Sequence, residues 1–551
     1  VGSQWDVGGA LAGAITFPFW FATEENRWSE LLWPNLPTWL TVRDPEVIAG
    51  YYMGRSNPYT GRVVGAWAGP ALWWAAIVGS LMWVCLCLNS IVRRRWGDEE
   101  KLPFPLVTVP VQIADERYGL LRSKLFWIGV GMAGGLELWN TLAGLIPALP
   151  GVPLFYDYTA HVQHRHPWNF IRYCGLWWAP FAIGLCYLMP LDLTLSLFIF
   201  GLMWPAQYVL SGRLGWATSP WWGMPYGDQQ AAGALMALFM SVLWLDRRYL
   251  VEVLRRAAGL RSSLPDDGEE ALGYRAAVVG VLAGVGFLWW VLARAGMQHW
   301  VVGAFLVLYL VMTSVLSRIR AHLGPPSNEI HGTAMPHAML GMLAGSRSMS
   351  AGSLGTLALL RPLLWEQRNH PSPVQIEALK MAEGGRMERR RLAVVMAAAA
   401  PVAVLCYFWA QLHLGYNLGL GTVNAHHWNI TVPRAIAQGL HDDLQYPSAP
   451  NSAGILATGV GAVFTVVLMW LKMRFQWWPL HPVAFPIALS WAIDSMRPAL
   501  LLVWIIKGVL LRYGGLRMHR QALPLFLGLI AGSASLVWII RLIFIWRGLT
   551  G

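Results

Sequence analysis

The stretch EEKLPFPLVTVPVQI (99–113) decides how the rest of the chain is read. It overlaps the charge run RRRWGDEEK (93–101) and puts Pro103, Pro105 and Pro110 at the head of an apolar segment. A continuous spanning helix disfavours that pattern, because an interior proline removes a backbone donor and clashes with the turn before it. At a helix's first turn the cost falls away, since that N–H would be unpaired anyway. Phe104–Pro105 therefore reads as the start of a short helix that dips into a bilayer and returns. Phe485–Pro486 repeats the arrangement late in the chain, after Lys472, Arg474 and LHPVA (480–484). Two such elements, one in each half (1–274 and 275–551), point to a transporter with an internal repeat. The N–H groups at those helix starts suit an anionic group on a ligand.

Composition supports a membrane setting. Of the 551 residues 56% are hydrophobic and 13% charged, roughly half the charged fraction of a soluble chain. Mean hydropathy is +0.44. Apolar segments recur at 7–23, 65–92, 125–149, 174–190, 191–210, 229–246, 275–293, 299–317, 332–346, 352–364, 392–414, 452–471, 482–493, 497–511 and 523–545. Most reach the length that crosses a bilayer. Those at 332–346, 352–364 and 482–493 are short, which suits half-helices or re-entrant hairpins. The runs are continuous rather than alternating, which argues against a β-barrel. The expectation is an all-α polytopic membrane protein of roughly 12–15 transmembrane or re-entrant helices, in two pseudo-repeated halves. The run 7–23 has no basic region ahead of it, so it reads as a membrane helix, with chain expected upstream, rather than as a signal peptide.

The net charge of +12 sits at the ends of apolar runs, so it signals topology and not a nucleic-acid partner. With Arg93–Arg95 in the cytoplasm, alternate threading brings the basic stretches at 247–261, 318–320, 386–391, 472–474 and 512–520 inside. This holds only if 332–364 and 482–511 each return to the side they left. Arg541 and Arg547 then fall outside. A bacterial inner membrane is the expected location. The segment 247–274 begins as a basic amphipathic helix, expected to lie on the membrane surface. Among 33 tryptophans are the pairs Trp73–Trp74, Trp177–Trp178, Trp221–Trp222, Trp289–Trp290 and Trp477–Trp478, which suit an interfacial aromatic belt. The stretches 24–64, 149–173, 211–228 and 415–451 read as ordered loops over the bundle.

Neither a phosphate loop nor an H-E-x-x-H or G-x-S-x-G motif is present, so no enzymatic activity and no cofactor are expected. Gly129-x-Gly131-x-x-Gly134 lies in an apolar run with no strand before it and reads as a helix-packing surface. The five cysteines show no zinc spacing and read as small buried hydrophobes. His161, His164 and His166, and the pair His426–His427, lack a companion cysteine or carboxylate cluster. They read as solvated or hydrogen-bonded groups rather than metal ligands.

Ionisable groups inside a bilayer are costly and face the bundle interior. Three places qualify. In 125–149, Ala133, Glu137, Asn140, Thr141 and Gly144 share one helical face, and Glu137 is placed to carry a proton or to bond a neighbouring helix. In 318–341, Gly324, Pro325, Pro326 and Gly332 break the helix, with Asn328, Glu329, His331 and His337 around the break. Broken helices at membrane depth line cavities. In 481–497, Ser490 and Asp494 share a face, and Arg497 is placed to pair with Asp494.

KLPFPLVTVPVQIA (101–114) resembles the Pro-containing motif of the oligopeptide transporter (OPT) superfamily. WIIKGVLLRYGG followed by LPLFLGLIAG (504–532) resembles its C-terminal part. RIRAHLGPP (318–326) and LELWNTL (136–142) are similar to an OPT-like bacterial branch. The Asn-Pro-Gly and Lys-Ile-Pro-Pro-Arg motifs of the eukaryotic branch are absent, with Asn57-Pro58-Tyr59 standing in this chain. The resemblance implies a secondary transporter of two related halves that moves short peptides or metal chelates with protons.

The sequence-level expectation is thus a proton-coupled transporter of a small peptide-like or chelate-like solute. Its partners are the lipid bilayer, protons, the solute, and a second copy or another membrane subunit. Glu137, Asn140, Thr141, Asn328, Glu329, His331, His337, Ser490 and Asp494 line or gate the path. Pro103, Phe104, Pro105, Phe485 and Pro486 start the hairpins. The rivals are a scaffold subunit of a larger complex and a membrane enzyme acting near 322–337.

Overall fold

The computed structural model describes residues 8–114, 119–217, 223–265, 267–268, 270–327, 329, 335–364, 370–385, 387–422 and 428–550, with side chains from Ala10 to Ser535. Among the described residues the protein is all-α apart from one short antiparallel hairpin, Phe155–Asp157 with Gly175–Trp177, and an isolated bridge between Ala217 and Gly223. Seven helices among the described residues are long and apolar enough to cross a membrane: Gly61–Glu99, Leu191–Arg213, Tyr274–Arg294, His299–Leu323, Arg389–Leu418, Ser452–Arg474 and Arg497–Ser535. Lys124–Leu145 and Gly227–Ala257, of 22 and 31 residues, lie among them. An integral membrane protein follows, because helices of this length satisfy their own backbone in a medium without water.

Among the described residues, shorter apolar helical stretches, Ala10–Trp20, Pro105–Ala114 and Ala351–Leu364, stand between the long ones. Two expectations change. The run 7–23 is two short helices, Gly8–Ala14 and Phe17–Trp20, with the first packed on Ala351–Leu364 and Trp428–Gln445. The basic stretch after Leu245 is no separate surface helix. It continues Gly227–Ala257 without a break, since no Gly or Pro interrupts it until Gly259.

Small residues set the close seams. A Cβ added at Gly528 would collide with the Phe126 carbonyl, and one at Gly129 with the Leu525 carbonyl. The 124–145 helix thus lies directly against the backbone of the last helix, as the glycine pattern there implied. The last stretch, Arg497–Thr550, is two helices joined by a sharp bend at Gly515, whose φ of 59° and ψ of −161° are open only to glycine.

Opposite helix ends define two ends of the molecule. The 227–257 and 452–474 helices pack together, and both begin at one end, at Asp228 and Asn451. They finish at the other, where Asp246 meets Arg95 at 3.0 Å and Lys472 meets Asp192 at 2.6 Å. The first is the cavity end and the second the charged end.

The tryptophans divide between surface and core. Trp74 is fully buried, its Nε1 donating to the Leu40 carbonyl at 3.1 Å, because its neighbour is a folded loop and not lipid. Trp39, Trp73 and Trp290 surround the Arg294 guanidinium at 5.4–5.6 Å. Trp477 is exposed, and Trp221–Trp222 lie outside the described residues.

Candidate functional site

The Pro-opened stretches both approach the break at Gly324–Pro326. Phe104 takes a left-handed conformation (φ 44°) and Pro105 opens a 3₁₀ turn that leads into Thr108–Ala114. The Phe104 N–H donates to the Ala321 carbonyl at 3.0 Å. Pro105 lies against Gly324, where the 299–323 helix ends with φ 58°. Phe485–Pro486 falls in the four-residue helix Ala484–Ile487, fully buried. Pro486 and Pro325 line one small void with Ser327 and Glu329, of about 10 Å³, room for a single water. The Gly-Pro-Pro break is therefore flanked by Pro105 on one side and Pro486 on the other.

Glu329 joins the two breaks. It is buried, and its Oε2 accepts the Ala492 N–H at 2.9 Å. It thereby satisfies one of the donors that the start of the short helix Trp491–Ser495 leaves open. Ser490 caps the same helix, accepting the Ile493 N–H at 3.3 Å. The hydroxyl expected along a path is thus spent on holding the backbone.

Beyond this wall lies a cavity of about 710 Å³, of ligand-pocket size. Its walls are both broken regions (Met335, His337, Ala338, Gly341 and Met342 from one; Ala488, Leu489, Trp491 and Asp494 from the other). The 191–213 helix adds Trp204, Pro205 and Tyr208, and the loops over the cavity end add Arg172, Tyr173, Tyr226 and Asn451. Among the described residues four charges face it: Arg172, Asp228, Arg361 and Asp494. Arg172 grips Asp228 through both guanidinium nitrogens, at 3.0 and 3.1 Å, and lies over the Tyr208 ring at 4.6 Å. Asp494 pairs with Arg497 at 3.1 Å, as their spacing implied, and Arg497 also donates to the Gly201 carbonyl at 3.0 Å. The His337 Nδ1 is buried without a hydrogen-bond partner among the described residues. Burial raises the Tyr173 phenol to about 12, so it stays a neutral hydroxyl at the rim.

Of the residues singled out in sequence, the structure brings His337 and Asp494 to the cavity, with Glu329 one layer behind. Asn328 and His331 lie outside the described residues. Glu137, Asn140 and Thr141 sit elsewhere, on the 124–145 helix. Thr141 donates to the Glu137 carbonyl at 2.8 Å and Asn140 accepts the Val152 N–H at 2.8 Å, so both serve local backbone. His161 packs against Tyr158 and His166 against Phe170; His426 and His427 lie outside the described residues. Arg172, Asp228 and Arg361 are not among the residues singled out in sequence. The rule applied to Glu137, that a charge in an apolar run marks the interior, points equally to Arg361.

At the charged end, among the described residues, arginines are paired with carboxylates. Arg93 is 2% exposed and reaches Glu270 at 2.6 Å and Asp98 at 2.7 Å. Arg95 contacts Asp246 and Glu99, Arg318 contacts Glu100, and Arg320 meets Glu377 at 2.7 Å. Trp96 donates to Asp246 at 3.1 Å beneath the Arg318 guanidinium.

These features define a polytopic α-helical membrane protein with an internal cavity between two broken-helix regions. The chain belongs to a family of unknown function, DUF6785, whose model matches residues 3–551. No curated protein matches it.

Proposed function

We propose that the protein is a secondary transporter, proton-coupled, of a small peptide-like or chelate-like solute. The observation that supports this most is the cavity. It lies where two broken helices meet, has aromatic walls, and carries charges of both signs. Transporters place their sites at such breaks. The resemblance to the OPT superfamily points the same way, with two related halves rocking about the cavity. By the positive-inside rule the charged end faces the cytoplasm of a bacterial inner membrane. Glu329 is the better candidate for the proton carrier, because losing its charge would loosen the contact between the two breaks. Glu137 is not among the residues lining the cavity.

The test is a thermal-stability screen of detergent-purified protein against di- to hexapeptides and metal chelates. A ligand at 100 times its Kd adds about 2.7 kcal/mol to the folded state. A shift from one chemical class, lost in Gly341→Trp, supports the reading. An added Cβ at Gly341 meets nothing within 4 Å, so the indole would fill the cavity at little cost in stability. A shift that survives this change would place binding elsewhere. A flat panel, together with a stoichiometric partner in native purification, would favour the scaffold reading.

A further inference from the structure

The bend in the last helix creates a second feature, away from the cavity. Gly515 divides Arg497–Thr550, and an open cleft of about 410 Å³ follows it, lined by Leu516, Arg517, Arg520 and Gln521. Arg512 stands one turn before the bend. Its level in the membrane is fixed by neighbours. Lys507 donates to the carbonyls of Tyr187 and Met189 at 3.1 and 2.7 Å. Asp192, just beyond, meets Lys472 at the end of the 452–474 helix. His519 is turned inward, bonded to the Tyr187 hydroxyl at 2.7 Å. The bend therefore lies at the charged end, where helices 191–213 and 452–474 start and stop, at the boundary of the apolar layer.

Arginines at this end fall into two groups. Arg93, Arg95, Arg318 and Arg320 are all held by carboxylates. Arg512, Arg517 and Arg520 have no ion pair or hydrogen bond among the described residues. Beside them runs an exposed apolar stripe, Ile505, Val509, Tyr513 and Leu516, with Tyr513 80% exposed. Their spacing of four, four and three residues keeps the first three on one helical face and carries it to the bend. An uncompensated basic cleft at the head of a lipid-facing stripe matches an amphiphile with an anionic head and an acyl chain. Guanidinium groups hold phosphate oxygens in paired hydrogen bonds.

We propose that this cleft binds the phosphate headgroup of an anionic phospholipid, with Arg517 and Arg520 on the phosphate and the acyl chain along Tyr513, Val509 and Ile505. The site rests on the membrane setting alone and not on transport. Delipidated full-length protein is titrated with dioleoyl phosphatidylglycerol or dioleoyl phosphatidylcholine, and bound lipid is counted by native mass spectrometry. Phosphatidylglycerol is expected to occupy the site about tenfold more readily, because the choline ammonium is repelled by the arginines. The R517Q/R520Q double variant should lower its occupancy about fivefold or more, and R517K/R520K should fall between, keeping the charge but losing the paired hydrogen bonds. Unchanged thermal unfolding of both variants separates loss of the site from loss of the fold. Equal occupancy by the two lipids, or by wild type and R517Q/R520Q, overturns the proposal. Binding of inorganic phosphate with no retention of phosphatidylglycerol also overturns it, and leaves a free-phosphate site.

Discussion

The two ends of the molecule use charge in opposite ways. At the charged end, Arg93, Arg95, Arg318 and Arg320 each close on a carboxylate from another part of the chain: Glu270 in the loop before the 274–294 helix, Asp246 on the 227–257 helix, Glu100 just past the 61–99 helix, and Glu377 on the helix Pro371–Gly384. At the cavity end, Arg172 with Asp228 and Asp494 with Arg497 form separate pairs around open volume. Similar residue types thus fasten one end and furnish a surface at the other. What differs is whether the pairs bridge helices face to face or stand along a wall. A buried pair that bridges helices is costly to break, because the survivor is left charged and dry. A pair on a cavity wall leaves its survivor within reach of water.

Arg93→Ala should sharpen this contrast most. It strands Glu270, itself 3% exposed, and should cost about 3–5 kcal/mol in detergent unfolding. The R93A/E270A double variant should recover part of the loss. Arg172→Ala should cost less, about 1–3 kcal/mol. Equal losses at the two ends would erase the distinction between fastening and furnishing.

Glu329→Gln keeps the shape of the side chain but weakens its bond to the Ala492 N–H, at a cost of about 1 kcal/mol. In proteoliposomes it should abolish proton-driven uptake and preserve solute exchange, whereas Glu137→Gln should leave both intact. Loss of coupling in Glu137→Gln with none in Glu329→Gln would reverse the assignment.

The smallest effect concerns His481, in the loop before Ala484–Ile487. Burial lowers its pKa, with His322 and Lys472 adding to the effect and Asp192 opposing it. The folded imidazole stays neutral where the unfolded one takes up a proton. Its contribution to stability is therefore present above the ordinary histidine pKa and is lost as pH falls below it, down to the lowered value. His481→Gln should flatten that part of the stability–pH curve, and an unchanged slope would assign it to other groups.

Much of the membrane fold was legible because crossing a bilayer writes its demands into local sequence. Long apolar runs became helices, LPFP and AFP became helix starts, and GPP became a break. The length of the 227–257 helix was not, because surface charge and helix continuation look alike until Asp246 finds Arg95. The site was half legible. His337 and Asp494 stood out as polar groups near breaks. Arg172 and Tyr173 lie in a loop whose position over the cavity depends on the packing of helices far away in the chain. Glu137 drew attention for its polar face, yet that face serves its own helix and the following turn.

The bond between Glu329 and Ala492 spans 163 positions of the chain. A ribosome making this protein releases the carboxylate long before the amide it will hold. Until residue 492 has entered the membrane, the break after Gly324 lacks one of its anchors and must be sheltered by the insertion machinery or by neighbouring helices. The middle of this protein is therefore finished by its last third. Chains truncated before Ser490 should insert their early helices and still fail quality control at a site they already contain.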